Sequence, residues 1–124
     1  EEKAGQNLAV LAESLFLINL LLLPGLAFAG LFALWLKNKD SAPPLARQHL
    51  RQTTFVSLVG GFLIVTLSGL ILALGGLDWA WTWVVLVLYF TCIHSTLVLF
   101  GMYGLIKAMS GQVWRFPLIG PPLE

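Results

Sequence analysis

The sequence predicts an all-α integral membrane protein with three transmembrane helices, built as a single membrane domain over residues 1–124. Two observations carry that prediction. The first is composition: the chain is 58% hydrophobic and 10% charged, with a mean hydropathy of +0.87. A soluble domain carries about 25% charged residues, because a small fold has a large surface to coat. Seven basic and six acidic residues cannot do that here. The second is arrangement: Asp, Glu, Lys and Arg are absent from three long stretches, at 14–36, 53–76 and 83–106.

Each stretch would form a helix of roughly 35 Å at ~1.5 Å per residue, enough to cross a ~30 Å hydrocarbon layer. Three segments cannot close a barrel, so the spans must be helical. The first is flanked by Glu1-Glu2-Lys3 and Glu13, not by the basic n-region of a signal peptide, and reads as a retained helix. Pro24 should weaken or kink it beside Gly25. Asn19, one turn earlier, would either bridge to a neighbouring helix or reach the outer headgroups. Pro43-Pro44 ends the first helix, and from Leu45 the chain should resume helix into the second span.

Basic residues set the orientation. The loop 37–52 holds Lys37, Lys39, Arg47 and Arg51, and the tail 107–124 holds Lys107 and Arg115. Three crossings put loop and tail on one side, and the positive-inside bias makes that side cytoplasmic, with the N-terminus outside. The expected location is a bacterial inner membrane, multi-pass. Trp79, Trp81 and Trp83 gather at the outer turn, with Trp35 and Trp114 near the inner face, as headgroup anchors.

Close helix approach in lipid relies on small residues. They recur at four-residue spacing as Ser57, Gly61, Gly69 and Ala73 in span two and as Gly25, Ala29 and Ala33 in span one, with Gly101 and Gly104 in span three. These faces are the expected packing surfaces. Arg47, His49, Arg51, Trp114 and Arg115 are the expected inner-face contacts to lipid or a partner.

Chemistry is sparse. A net charge of +1 gives no basic field for nucleic acid. Cys92 is the lone cysteine, so it makes no intrachain disulfide and no cysteine-based metal site. No paired carboxylates, phosphate loop or serine–histidine–acid set occurs, and an enzyme is not expected. His94, near mid-span, is the one candidate cofactor residue. It would ligate haem b, hydrogen-bond a quinone or relay a proton; the plainer reading is a neutral ring bonded to a helix carbonyl or a hydroxyl. His49 lies too far from its depth to share a haem with it. No cofactor or metal is otherwise expected.

The runs LKNKDSAPPLARQHLRQTTF and GLIKAMSGQVWRFPL resemble a family of small bacterial membrane proteins of unknown function, distantly similar to the small membrane subunit of the chloroplast inner-envelope import translocon. The shared features are a turn at Lys39-Asp40-Ser41 with Pro43, a patch at His49 with Gln52, and a close at Gly111, Trp114, Arg115, Phe116 and Pro117. The resemblance implies a compact helical bundle and no established reaction. The expected function is a non-catalytic accessory or structural subunit of a larger inner-membrane complex, such as a respiratory or other redox assembly, with other integral membrane subunits and lipid as partners. The alternatives are a translocation or transport component forming an oligomeric path, and a haem- or quinone-binding subunit centred on His94.

Overall fold

The computed structural model describes residues 3–123, so the expected outer flank at Glu1 and Glu2 lies outside the described residues. Four helices follow in order: α1 Gln6–Leu21, α2 Leu26–Asn38, α3 Pro44–Gly75 and α4 Ala80–Met109. No strand occurs among the described residues. Two of the helices, α3 and α4, are long and apolar enough to cross a bilayer.

The first apolar stretch departs from its expectation. It does not form one helix over 14–36 but folds back on itself between Leu21 and Leu26. Pro24 has no N–H to continue the helix and restricts Leu23 before it. Gly25 then takes a left-handed φ of 84°, which reverses the chain.

A reversal inside an apolar region exposes backbone groups that lipid cannot satisfy. Two side chains satisfy them here. The Asn19 Oδ1 accepts the backbone N–H of Gly25 at 2.7 Å and of Phe28 at 3.2 Å, standing in for an N-cap of α2. The His94 Nε2–H donates to the Leu20 carbonyl at 2.8 Å, in the last turn of α1. Asn19 thus bridges to the helix that follows it, α2, and builds the turn.

The reversal also moves the N-terminus. Gln6 Nε2 donates to the Met109 carbonyl at 2.8 Å, so α1 begins where α4 ends. A Cβ on Gly5 would lie 2.9 Å from that of Ala46, in the first turn of α3. The start of α1, the end of α2, the start of α3 and the tail therefore share one end of the molecule. The first stretch is therefore two short helices rather than the single long one expected, and the start of α1 lies at the same end of the molecule as the tail.

Burial follows the same geometry. In α3 every buried residue lies between Leu45 and Gly60. In α4, apart from Thr82 at the far turn, burial starts at Leu97. The α1–α2 hairpin covers only this half, since 16 and 13 residues extend about 24 and 20 Å. Helix α1 packs against all three others, whereas α2 reaches α3 but not α4. Above the hairpin, α3 and α4 face only each other.

Three clusters fill the covered half: Phe16, Val56, Leu97 and Phe116; Ala12, Leu31 and Leu50; and Ala9, Leu45 and Ala108. Gly101 lets α1 approach α4, because a Cβ there would stand 2.8 Å from the Phe16 ring and 2.9 Å from Leu17. At the far end Gly75 faces Thr82 across the α3–α4 turn. Trp79, Trp81 and Trp83 are exposed around that turn.

The small-residue stripes divide accordingly. Gly101 and Gly104 are buried contacts, and Ser57 is half-buried, while Gly25, Ala29, Ala33, Gly61, Gly69 and Ala73 face outward. The buried face of α2 is Ala27 and Leu31 instead, and α3 uses Gly60 against Leu97 rather than Gly61. Gly101→Leu should therefore cost about 1–3 kcal/mol by overpacking. Gly61→Leu, with nothing within 4 Å of its Cβ, should leave stability nearly unchanged. Thermal unfolding of both variants in detergent measures the contrast.

Candidate functional site

Two polar centres stand out in an apolar molecule. The larger lies at the end that holds both termini. The Glu13 carboxylate and the His49 imidazole approach to 2.5 Å, with exposures of 2% and 0%. The other ring nitrogen, His49 Nε2, lies 2.8 Å from the Gln112 carbonyl. A carbonyl only accepts, so Nε2 carries a hydrogen. The Glu13–His49 contact then shares one further proton, as carboxylic acid with neutral imidazole or as carboxylate with imidazolium. Either form is neutral as a pair, the condition for burying two ionisable groups.

Glu13 sits in the short helix α1, outside the two long apolar helices. Burial pushes its carboxyl above the ordinary carboxylate range, while the hydrogen bond and charge of His49 act in the opposite direction.

The same stretch of α3 grips the tail. Gln48 Nε2 donates to the Trp114 carbonyl at 2.6 Å, and the Phe116 N–H donates to Gln52 Oε1 at 2.7 Å. Residues 48, 49 and 52 lie on one face of a helix, and they bond the backbone of 114, 112 and 116 in the extended tail. The tail is thus docked through its main chain. Its rings complete the grip: Phe116 packs on Phe100 at 5.3 Å and Phe16 at 6.5 Å, and Trp114 on Tyr103 at 5.1 Å. Gly104 clears the space, since a Cβ there would meet Glu13 Oε1 at 2.6 Å and Trp114 Nε1 at 3.0 Å.

These contacts revise the expected inner-face set. His49 is buried and Trp114 half-buried within the chain, so neither is a free lipid contact. Arg51 donates to the Pro122 carbonyl and Arg115 Nε to that of Gly120, at 3.0 Å for the latter, so both help fold the tail. Arg47 is half-buried on the same end of α3. The patch at His49–Gln52 and the close at Gly111–Pro117, distant in sequence, are brought together.

Glu13, Gln48 and Gln112 escaped the sequence reading. The available signal was Glu13 itself, an acid set between apolar runs, which demands a partner once the helix is buried. Its assignment to an outer flank followed from the three-crossing topology.

The second centre is the hairpin tip. A cavity of about 300 Å³ is lined by Phe16, Asn19, Ser57, Gly60, His94 and Leu97, among others. His94 stacks on Phe90 at 5.3 Å and spends Nε2 on the Leu20 carbonyl, the helix-carbonyl role rather than that of an uncommitted ligand. Ser57 Oγ is buried with no partner among the described residues. His49 and His94 lie at different depths, as expected. No group of three or more His, Cys, Asp or Glu able to hold a metal occurs among the described residues.

The arrangement fits proton sharing and mechanical closure of the tail on α3. His49→Ala would strand Glu13 and release the tail, at a cost of about 3–5 kcal/mol. Replacing both partners in Glu13→Leu/His49→Leu should cost much less than the sum of the single changes. Chemical unfolding gives the energies, and trypsin cleavage at Arg115 should quicken in His49→Ala.

Comparison with known proteins supplies the context. Residues 4–123 match the model of the magnetosome magnetite crystal formation protein family, MamF/MmsF. The chain belongs to that family. The match supports the small bacterial family read from the loop and tail motifs; it does not extend to the chloroplast translocon subunit. No curated protein and no solved structure is detectably similar.

Proposed function

We propose that, as a member of the magnetosome magnetite crystal formation family, this chain is a bilayer-embedded accessory protein that contributes packing surface rather than catalysis to the membrane where the mineral forms. Family membership over nearly the whole chain carries this reading. Two helices of membrane-crossing length support it. Its polar residues support it too, because they are spent on holding the hairpin and tail.

In this reading α3 and α4 cross the bilayer, and the α1–α2 hairpin enters and leaves from one side. All seven Lys and Arg then lie at the end holding both termini, whereas the far turn has Asp78. The positive-inside bias would place the basic end in the cytoplasm. Partner membrane subunits would meet the outward small residues Ala29 and Ala33 of α2, in the half of the molecule that the hairpin covers. A redox assembly is not required by any of these features.

The test has two parts. Deleting the chain from a magnetite-forming host should change crystal size or shape without abolishing the mineral; unchanged crystals would remove the accessory role. Tags on both termini should be protected or accessible together in oriented membrane vesicles. Tags on opposite sides would overturn the hairpin topology.

A further inference from the structure

The two halves of the molecule have unequal cross-sections. The half bearing both termini contains α1, α2, α3 and α4, with the tail folded against α3 and α4. The other half contains α3 and α4 alone, since the hairpin stops where Leu20 meets His94. His94 is close to the middle of α4, which runs from Ala80 to Met109. Each helix with side chains is about 10 Å wide, so the end with four helices displaces about twice the area of the end with two.

The narrow half has no hidden filler of its own. Phe62, Val65, Leu70 and Leu74 of α3 and Val87 and Leu88 of α4 are all at least half exposed. Such apolar side chains suit acyl chains and leave the narrow half surrounded by lipid. The asymmetry is held in place, because the hairpin is pinned at its base by Gln6, midway along α1 by Glu13–His49 and at its tip by Asn19 and His94.

We propose that this chain is a membrane wedge, whose wide basic end favours the convex leaflet of a curved bilayer, so that it sorts to curvature and imposes it when crowded. A body wide in one leaflet and narrow in the other relieves lipid packing where the first leaflet is stretched over the second. The energy gained is the difference in lipid strain between the two orientations, and it shifts their populations accordingly. The inference rests on the reading of α3 and α4 as membrane-crossing, and its test separates the two.

The full chain, in detergent, is reconstituted in both orientations into phosphatidylcholine vesicles, either small and sonicated or large and extruded. Neutral lipid keeps the basic end from choosing a side by charge. Every Lys and Arg lies at the wide end, so trypsin added outside cuts molecules whose wide end faces outward. In large vesicles cut and uncut molecules should be close to equal. In small vesicles, where the outer leaflet is convex, cut molecules should exceed uncut ones by about threefold. Equal ratios in both vesicle sizes overturn the wedge, including the case in which a second copy fills the narrow half. Gly69→Leu, which adds bulk to α3 in the narrow half without a clash, should reduce the bias; an undiminished bias would show that helix cross-section is not its source. Extraction of the protein by alkaline carbonate would instead sink the membrane-crossing reading itself.

Discussion

The contact between Glu13 and His49 is the constraint on which the rest of the structure depends. It joins the first helix to the longest one, and through Gln112 it joins both to the tail. Neither group tolerates burial alone. Their shared proton makes the pair neutral, and neutrality permits α1 to lie flush against α3 and α4 with Ala9, Ala12 and Phe16 sealed around it. Small residues complete the fit, with Gly101 and Gly104 leaving room for Phe16 and Glu13.

A second requirement acts at the opposite end of the hairpin. Chain reversal in apolar surroundings is tolerated only if the freed backbone groups find partners. Asn19 and His94 provide them from two different helices. The two most polar residues of the expected spans are therefore structural, and they bond to main chain rather than to each other. Their placement fixes how deep the hairpin penetrates, and hence where burial ends along α3 and α4.

The sequence made the helical class, the two long helices and the packing value of Gly101 and Gly104 legible, because charge-free length and small-residue spacing are local properties. The second span, expected at 53–76, is the apolar part of α3, and the expected resumption of helix from Leu45 is its first half. The hairpin was half legible. Pro24 and Gly25 announced a disturbance, but a kink and a reversal share that signature, and the difference lies in whether distant residues such as His94 can satisfy the turn. The site shows the same limit. His49, Gln52 and the tail motif stood out individually. That they converge depends on the reversal, which carries Glu13 to the basic end. Outward-facing Gly61, Gly69 and Ala73 show the converse: regular spacing identifies a face without saying what lies opposite it.

The short turn between α3 and α4 bears on how such a chain enters a membrane. In the proposed topology, with the hairpin returning to its starting side, the segment between the long helices that would pass through the bilayer is 76–79, which carries one charge, Asp78. Insertion in that topology would amount to pushing one helical pair through as a unit, with a single carboxylate to desolvate, while the basic residues stayed on the starting side. The exposed indoles of Trp79, Trp81 and Trp83 would then stop the pair at the far interface.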